Sequence, residues 1–157
     1  MDAGKTKSSS RYTIYTDGAA RGNPGESASG FSVFDDSGKE VASNSFYNGI
    51  KTNNFAEYNA IIKALEWCEA NLRSPENAEL TFVSDSELVV RQLNGKYKVR
   101  SSEMASLNAT VRDLSKWFMG VEFTNKRRSD KGISDVDKRL NELLDSIQKE
   151  KKTKNIK

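Results

Sequence analysis

The sequence predicts an α/β domain on a five-stranded mixed sheet, three antiparallel strands and then two parallel ones, with helices on both faces and the order βββαβααβα. Three observations carry this. Three consecutive strand-like runs open the chain, with turn-forming residues between the second and third. Apolar residues then recur at helical spacing in several segments. Two short apolar runs fall among those helices and supply the last two strands.

Arg11 to Asp17, rich in Tyr, Thr and Ile, reads as the first strand. Ser29 to Phe34 and Glu40 to Tyr47 read as a hairpin around Asp36-Ser37-Gly38. Thr52 to about Leu72 reads as a helix, with Ile61, Ala64, Leu65 and Cys68 on one seam. Leu80 to Ser84 is a short buried strand. Ser84 to about Leu93 follows as a short helix, with Ser84 and Glu87 spaced as a capping box. Ser101 or Ser102 caps the next helix, whose face is Met104, Leu107, Val111, Leu114 and Phe118. Val121 to Thr124 is the final strand, and Ile133 to about Ile147 the last helix. The expected organisation is a polar, disordered extension over 1–10, one folded domain over 11–147, and a basic, disordered tail over 148–157.

Composition narrows the chemistry. There is no histidine, so histidine acid–base catalysis and histidine metal ligands are excluded. The single cysteine, Cys68, lies on a helix seam, which fits a buried structural thiol in a reducing compartment. No apolar run is long enough to span a bilayer and the start is polar, so the cytoplasm is expected, with no membrane partner and a monomeric chain. The net charge is +3, but Lys149 to Lys157 holds five lysines against one glutamate, which leaves the rest of the chain at −1. Any nucleic-acid footprint on the body must therefore be local.

Three carboxylates stand at the ends of elements. Asp17 leads from a strand into the glycine-rich Arg21-Gly22-Asn23-Pro24-Gly25; Glu57 lies on the apolar helix seam at i−4 from Ile61; Asp85 follows a buried strand. Each has an ordinary reading. Asp17-Gly18 suits a turn, Glu57 suits a capping box behind Asn54, and Asp85 suits the first turn of a helix. Taken together, they can converge at one sheet edge as an oxygen-ligand site for a hard divalent cation. A fourth acid is expected from the last helix. There Asp137 borders the apolar face of Ile133, Val136, Leu140 and Leu144, whereas Asp135 falls on the polar side. Two divalent ions about 3.5–4 Å apart suit in-line displacement at phosphate. Thr52, Asn53 and Asn54 add hydroxyl and amide groups beside Glu57, which suit either sugar and base edges or a helix cap.

Thr16-Asp17-Gly18-Ala19 with Arg21 to Gly25, then Thr52-Asn53-Asn54-Phe55-Ala56-Glu57, then Ser84-Asp85-Ser86 resemble, in order and spacing, the motifs of type 1 ribonuclease H. The resemblance spans about Arg11 to Ile147. It implies the ribonuclease H-like fold and an endonuclease that hydrolyses the RNA strand of RNA–DNA hybrids with two Mg²⁺ or Mn²⁺ ions, leaving 5′-phosphate and 3′-hydroxyl ends. It also implies that Asp17, Glu57, Asp85 and Asp137 are the catalytic metal ligands, and that Gly18, Asn23, Thr52, Asn53 and Asn54 contact substrate. By the same carry-over Glu57 approaches a ribose 2′-OH and Thr52 a DNA-strand phosphate.

The sequence departs from that family in its C-terminal part. The family's Asn-x-x-Ala-Asp is here Ile133-Ser134-Asp135-Val136-Asp137. Counting ten residues back from Asp137, where many members carry a loop histidine, lands on Arg127 in Lys126-Arg127-Arg128. Arginine does not shuttle protons at neutral pH, so Arg127 is expected to bind phosphate or product, or to be solvated. The basic handle of some members is reduced to Gly95-Lys96-Tyr97-Lys98-Val99-Arg100. Two alternatives follow: a broader nuclease that also cuts double-stranded RNA, and a non-catalytic hybrid-binding module.

Overall fold

The computed structural model describes residues 10–156. The strands are β1 (Ser10–Gly22), β2 (Gly25–Asp35), β3 (Glu40–Lys51), β4 (Ala78–Ser84) and β5 (Gly120–Asn125). The helices are α1 (Asn53–Asn71), α2 (Glu87–Leu93), α3 (Ser102–Ser115) and α4 (Lys131–Ile156). The sheet runs β3-β2-β1-β4-β5, with β1–β2 and β2–β3 antiparallel and β1–β4 and β4–β5 parallel. This is the expected mixed sheet and element order.

Both faces are covered, because β1 alternates. Ile14 joins Phe31, Val33, Leu80 and Phe82 beneath α1, α2 and α3. Its neighbour Tyr15 faces the smaller core of Ala28, Val136, Leu140 and Leu144, under α4. Alternation of side chains along a strand therefore decides which helix each residue meets. Helix α4 approaches the sheet closely at two glycines. A Cβ at Gly132 would lie 2.3 Å from the Tyr15 ring, and one at Gly30 would lie 3.1 Å from Val136 Cγ1.

Several boundaries differ from the sequence reading. The first strand does not stop at Asp17: Gly18 to Gly22 pair with Gly25 to Ser29, so β1 and β2 form a long hairpin turning at Asn23-Pro24. Small residues with little strand propensity are held there by cross-strand pairing. The cap of α1 is Thr52, whose Oγ1 accepts from Phe55 N (3.1 Å), rather than Asn54. The cap of α2 is Ser86, whose Oγ accepts from Val89 N, while Ser84 Oγ accepts from Ser86 N (3.0 Å). Asp130 starts α4 two residues early, accepting from Gly132 N and Ile133 N.

The largest difference is at the C-terminus. The segment from 148 onward, expected to be disordered, continues α4 to Ile156. Arg21 donates to Gln148 Oε1 (2.6 Å) and pairs with Asp145 (2.8 Å), while Lys151 pairs with Glu26 and lies over the Tyr47 ring. These ties to the hairpin give the lysine-rich turns a partner that composition alone does not reveal. Of the expected disordered extension over 1–10, residues 1–9 lie outside the described residues, and Ser10 already belongs to β1.

Candidate metal centre

Sheet register builds the site. β1 and β4 run parallel with Tyr15 level with Val83, and their pairing ends there. Two residues further on, Asp17 and Asp85 stand where the two strands part, at a carboxyl end of a sheet that commonly holds ligands. Helix α1 then crosses β1 at Gly18. A Cβ on that residue would lie 2.3 Å from Ala56 C and 2.5 Å from Glu57 N, so only glycine lets the helix backbone sit on the strand. Ser29 Oγ fixes the crossing by donating to Ala56 O (2.6 Å). Glu57 is thereby carried in beside Asp17.

One carboxylate oxygen from each of Asp17, Glu57 and Asp85 falls within a mutual distance of 4.8 Å. Asp17 is wholly buried and Glu57 is 9% exposed. Both Asp17 oxygens, Glu57 Oε1 and Asp85 Oδ1 are buried without a hydrogen-bond donor among the described residues. Buried polar side-chain atoms ordinarily have at least one hydrogen-bond partner. With Thr52 as cap, Glu57 lies beyond the first turn of α1, so the capping-box reading does not account for it.

Burial, then the charge of Glu57, then contact with Asp137 and the charges of Asp85 and Asp137 push the Asp17 carboxyl up to about 10. Burial and the charge of Asp85 raise Glu57 well above the carboxylate range, opposed by the Gly18 amide, which donates to it, and by Arg128. Asp137, half-buried on the first turns of α4, stands against Asp17, and its Oδ1 accepts from Asn141 Nδ2 (3.1 Å). Asp135 instead pairs with Lys131 (3.2 Å). Four acids so crowded repel unless protons or cations intervene. Unsatisfied oxygens, oxygen-only chemistry and mutual repulsion all fit a hard divalent cation.

The other sequence candidates divide. Asn23 Oδ1 accepts from Asn53 N (3.0 Å), and Asn53 Oδ1 accepts from Ala20 N (2.8 Å). These bonds clip the glycine-rich turn to the start of α1 and leave both Nδ2 groups as donors. Thr52 Oγ1 is an acceptor in its cap and keeps its O–H to donate. Gly18 carries the strand–helix crossing, and Asn54 is half-buried on the first turn of α1. Arg127 makes no ion pair with the four acids among the described residues; Arg128 does. Its Nε lies 2.9 Å from Asp85 Oδ2, with the Asp85 side chain 9% exposed. Counting back along the chain missed this by one residue. The signal was in the register: β5 ends with Asn125 level with Ser84, and Lys126 N donates to Ser84 O (3.0 Å). The next residues therefore emerge beside Asp85.

A mixed sheet flanked by helices, with a buried carboxylate cluster where two parallel strands separate, defines an α/β domain organised around a group of acids able to hold a cation. The RNase H family model matches residues 9–156, and the chain belongs to that family. It is 35% identical over 135 residues to Ribonuclease HI of Halobacterium salinarum, an alignment spanning 86% of this chain and 65% of that protein. It is 32% identical over 114 residues to the bifunctional protein Rv2228c of Mycobacterium tuberculosis, spanning 30% of that protein. The chain thus matches just under two thirds of the first relative's length and under a third of the second's. Among solved structures, it resembles RNase H1 of Halobacterium salinarum with a TM-score of 0.80 and 33% identity, covering 87% of this chain and 98% of that one. It resembles LC11-RNase H1 in complex with RNA/DNA hybrid with a TM-score of 0.75 and 32% identity, covering 85% and 99%.

Proposed function

We propose that this chain is a divalent-metal-dependent endonuclease that hydrolyses the RNA strand of RNA–DNA hybrids, leaving 5′-phosphate and 3′-hydroxyl ends. The observation that carries the reading is the convergence of Asp17, Glu57 and Asp85, one oxygen of each within 4.8 Å of the others, with four of their oxygens buried and without a donor among the described residues, set in an RNase H frame. The similarity to LC11-RNase H1 in its complex with RNA/DNA hybrid supports the choice of substrate.

Asp17, Glu57, Asp85 and Asp137 would hold two Mg²⁺ or Mn²⁺ ions. Such ions supply the charge that makes water a nucleophile at neutral pH and that stabilises the leaving oxygen of an in-line displacement. The chain's own groups do the rest. The Gly18 amide orients Glu57. The Nδ2 donors of Asn23 and Asn53 and the hydroxyl of Thr52 gather at the start of α1, the helix that carries Glu57, and suit acceptor atoms of phosphate, ribose or base edge. Donors of this kind hold a duplex by backbone and groove shape, so little sequence preference is expected.

A reducing compartment such as the cytoplasm accords with the buried, unpaired Cys68, and a monomer is proposed with it. None of the described helices is long and apolar enough to cross a membrane.

The test is a strand-labelled substrate panel with Mg²⁺ or Mn²⁺: hybrid, double-stranded RNA, single-stranded RNA and DNA. Cutting confined to the RNA of the hybrid is expected. Equal cutting of double-stranded RNA would replace hybrid specificity with the broader nuclease. Tight hybrid binding without cutting would replace the enzyme with a binding module.

A further inference from the structure

Arg128 is the unexplained charge at this site. It stands on the loop between β5 and α4, with its side chain 69% exposed, yet its Nε reaches Asp85 Oδ2 at 2.9 Å. Its charge acts on Asp17 and Asp137 as well as on Asp85 and opposes the charges that raise Glu57. One guanidinium therefore serves the whole acid group. The loop is tied to β4 where it begins, by Lys126 N on Ser84 O (3.0 Å), and closes a turn around Arg128, by Asp130 N on Arg127 O (2.9 Å). The placement of Arg128 follows from the fold and not from a free tether.

We propose that Arg128 is a built-in counter-cation that competes with divalent metal for Asp85. The proposal rests on the reading of the acids as a metal site. Asp85 offers two oxygens: Oδ1 is buried without a donor, and Oδ2 is held by the guanidinium. A divalent ion using Oδ2, or drawing on the same negative charge, must displace or weaken the ion pair. By reciprocity, whatever the pair adds to the stability of the metal-free site is subtracted from metal affinity. Because the arginine is mostly exposed and its loop is short, displacement costs little packing. The released guanidinium remains within reach of the anion that arrives with the metal, and its fork of donors matches a phosphate. Arg128 thus keeps four clustered acids folded when metal is scarce and yields as metal rises.

The test measures Mn²⁺ binding to the intact chain without nucleic acid, by calorimetry or by the electron paramagnetic resonance of free Mn²⁺. Arg128→Ala should bind Mn²⁺ about two- to fivefold more tightly than wild type, the upper part of the range expected for removing a partly exposed pair. The same variant should melt at a lower temperature than wild type in EDTA, and this deficit should close with saturating Mn²⁺. Arg128→Lys should fall between the two. Lys126→Ala removes the same charge from the same loop and should leave Mn²⁺ affinity within twofold. Unchanged or weaker Mn²⁺ binding by Arg128→Ala would overturn the proposal, as would equal tightening by Lys126→Ala, which would reduce the effect to long-range charge. If wild type bound no Mn²⁺ and did not cleave hybrid, the metal-site reading itself would fall. If it bound and cleaved while Arg128→Ala bound no better, only the role of Arg128 would.

Discussion

Two buried polar clusters lie within this small domain, and they are built to opposite rules. Between α1, α2 and α3, Tyr58 Oη donates to Gln92 Oε1 (2.7 Å) and accepts from Asn108 Nδ2 (3.1 Å). Arg112 Nε donates to Asn108 Oδ1 (2.8 Å), and its Nη2 donates to Leu93 O (3.2 Å). Each of these links has a donor and an acceptor. At the other cluster, Asp17, Glu57 and Asp85 keep four buried oxygens without a donor among the described residues. A satisfied polar network fixes how helices pack. An unsatisfied one costs stability and persists where something outside the chain completes it. The contrast separates structure from function without reference to any relative.

The contrast can be broken in four places. The largest effect belongs to Asp85→Asn. Groups that merely orient metal ligands cost about 10–100-fold when lost, so removing a ligand should lower hybrid cleavage by more than about 100-fold. Volume is conserved, and the melting temperature in EDTA should hold or rise. A folded variant with near wild-type rates would make the acid cluster structural.

The second is pH. In metal-free protein Asp17 titrates near 10, against an ordinary 3.8. Its folded form therefore holds the proton more tightly than the unfolded chain. The stability this gives is present below about pH 4 and is lost as pH rises toward 10. Chelated protein should lose up to about 1.4 kcal/mol per pH unit for this one proton, and Asp17→Asn should flatten the slope. Denaturant melts at several pH values in EDTA measure it; a slope unchanged by the substitution would contradict the assignment.

The third is Tyr58→Phe, which orphans Gln92 and Asn108. It should cost about 1–3 kcal/mol of stability and leave cleavage per folded molecule unchanged. A denaturation curve beside an activity assay tests both halves. The smallest effect is at Cys68, where burial in the apolar core pushes the thiol up to about 12. Native protein at pH 8 should resist alkylation by iodoacetamide over hours, and unfolded protein should react at once.

Much of this was legible in the sequence because the relevant signals are local. Strand and helix periods placed the elements, and three short motifs marked Asp17, Glu57 and Asp85. What escaped depends on pairing across the fold. Gly18 to Gly22 look like a turn until β2 pairs with them. Lys149 to Lys154 look like a solvated run until Arg21 and Glu26 hold the helix beneath them. Arg128 was missed in favour of Arg127 because counting along the chain ignores the β4–β5 register that sets where the loop emerges. The satisfied network of Tyr58, Gln92, Asn108 and Arg112 was equally invisible, since its bonded pairs lie 4 to 50 residues apart.

The central claim is that the donorless oxygens await a divalent cation that turns them into a hybrid-cutting site. The most direct measurement is cleavage of a strand-labelled RNA–DNA hybrid by the intact chain across a Mg²⁺ or Mn²⁺ titration, with EDTA as control. The account predicts cutting of the RNA strand that rises with metal, vanishes in EDTA and returns when metal is restored. Cutting that persists in EDTA, or a folded chain that leaves the hybrid intact at every metal concentration, would contradict it.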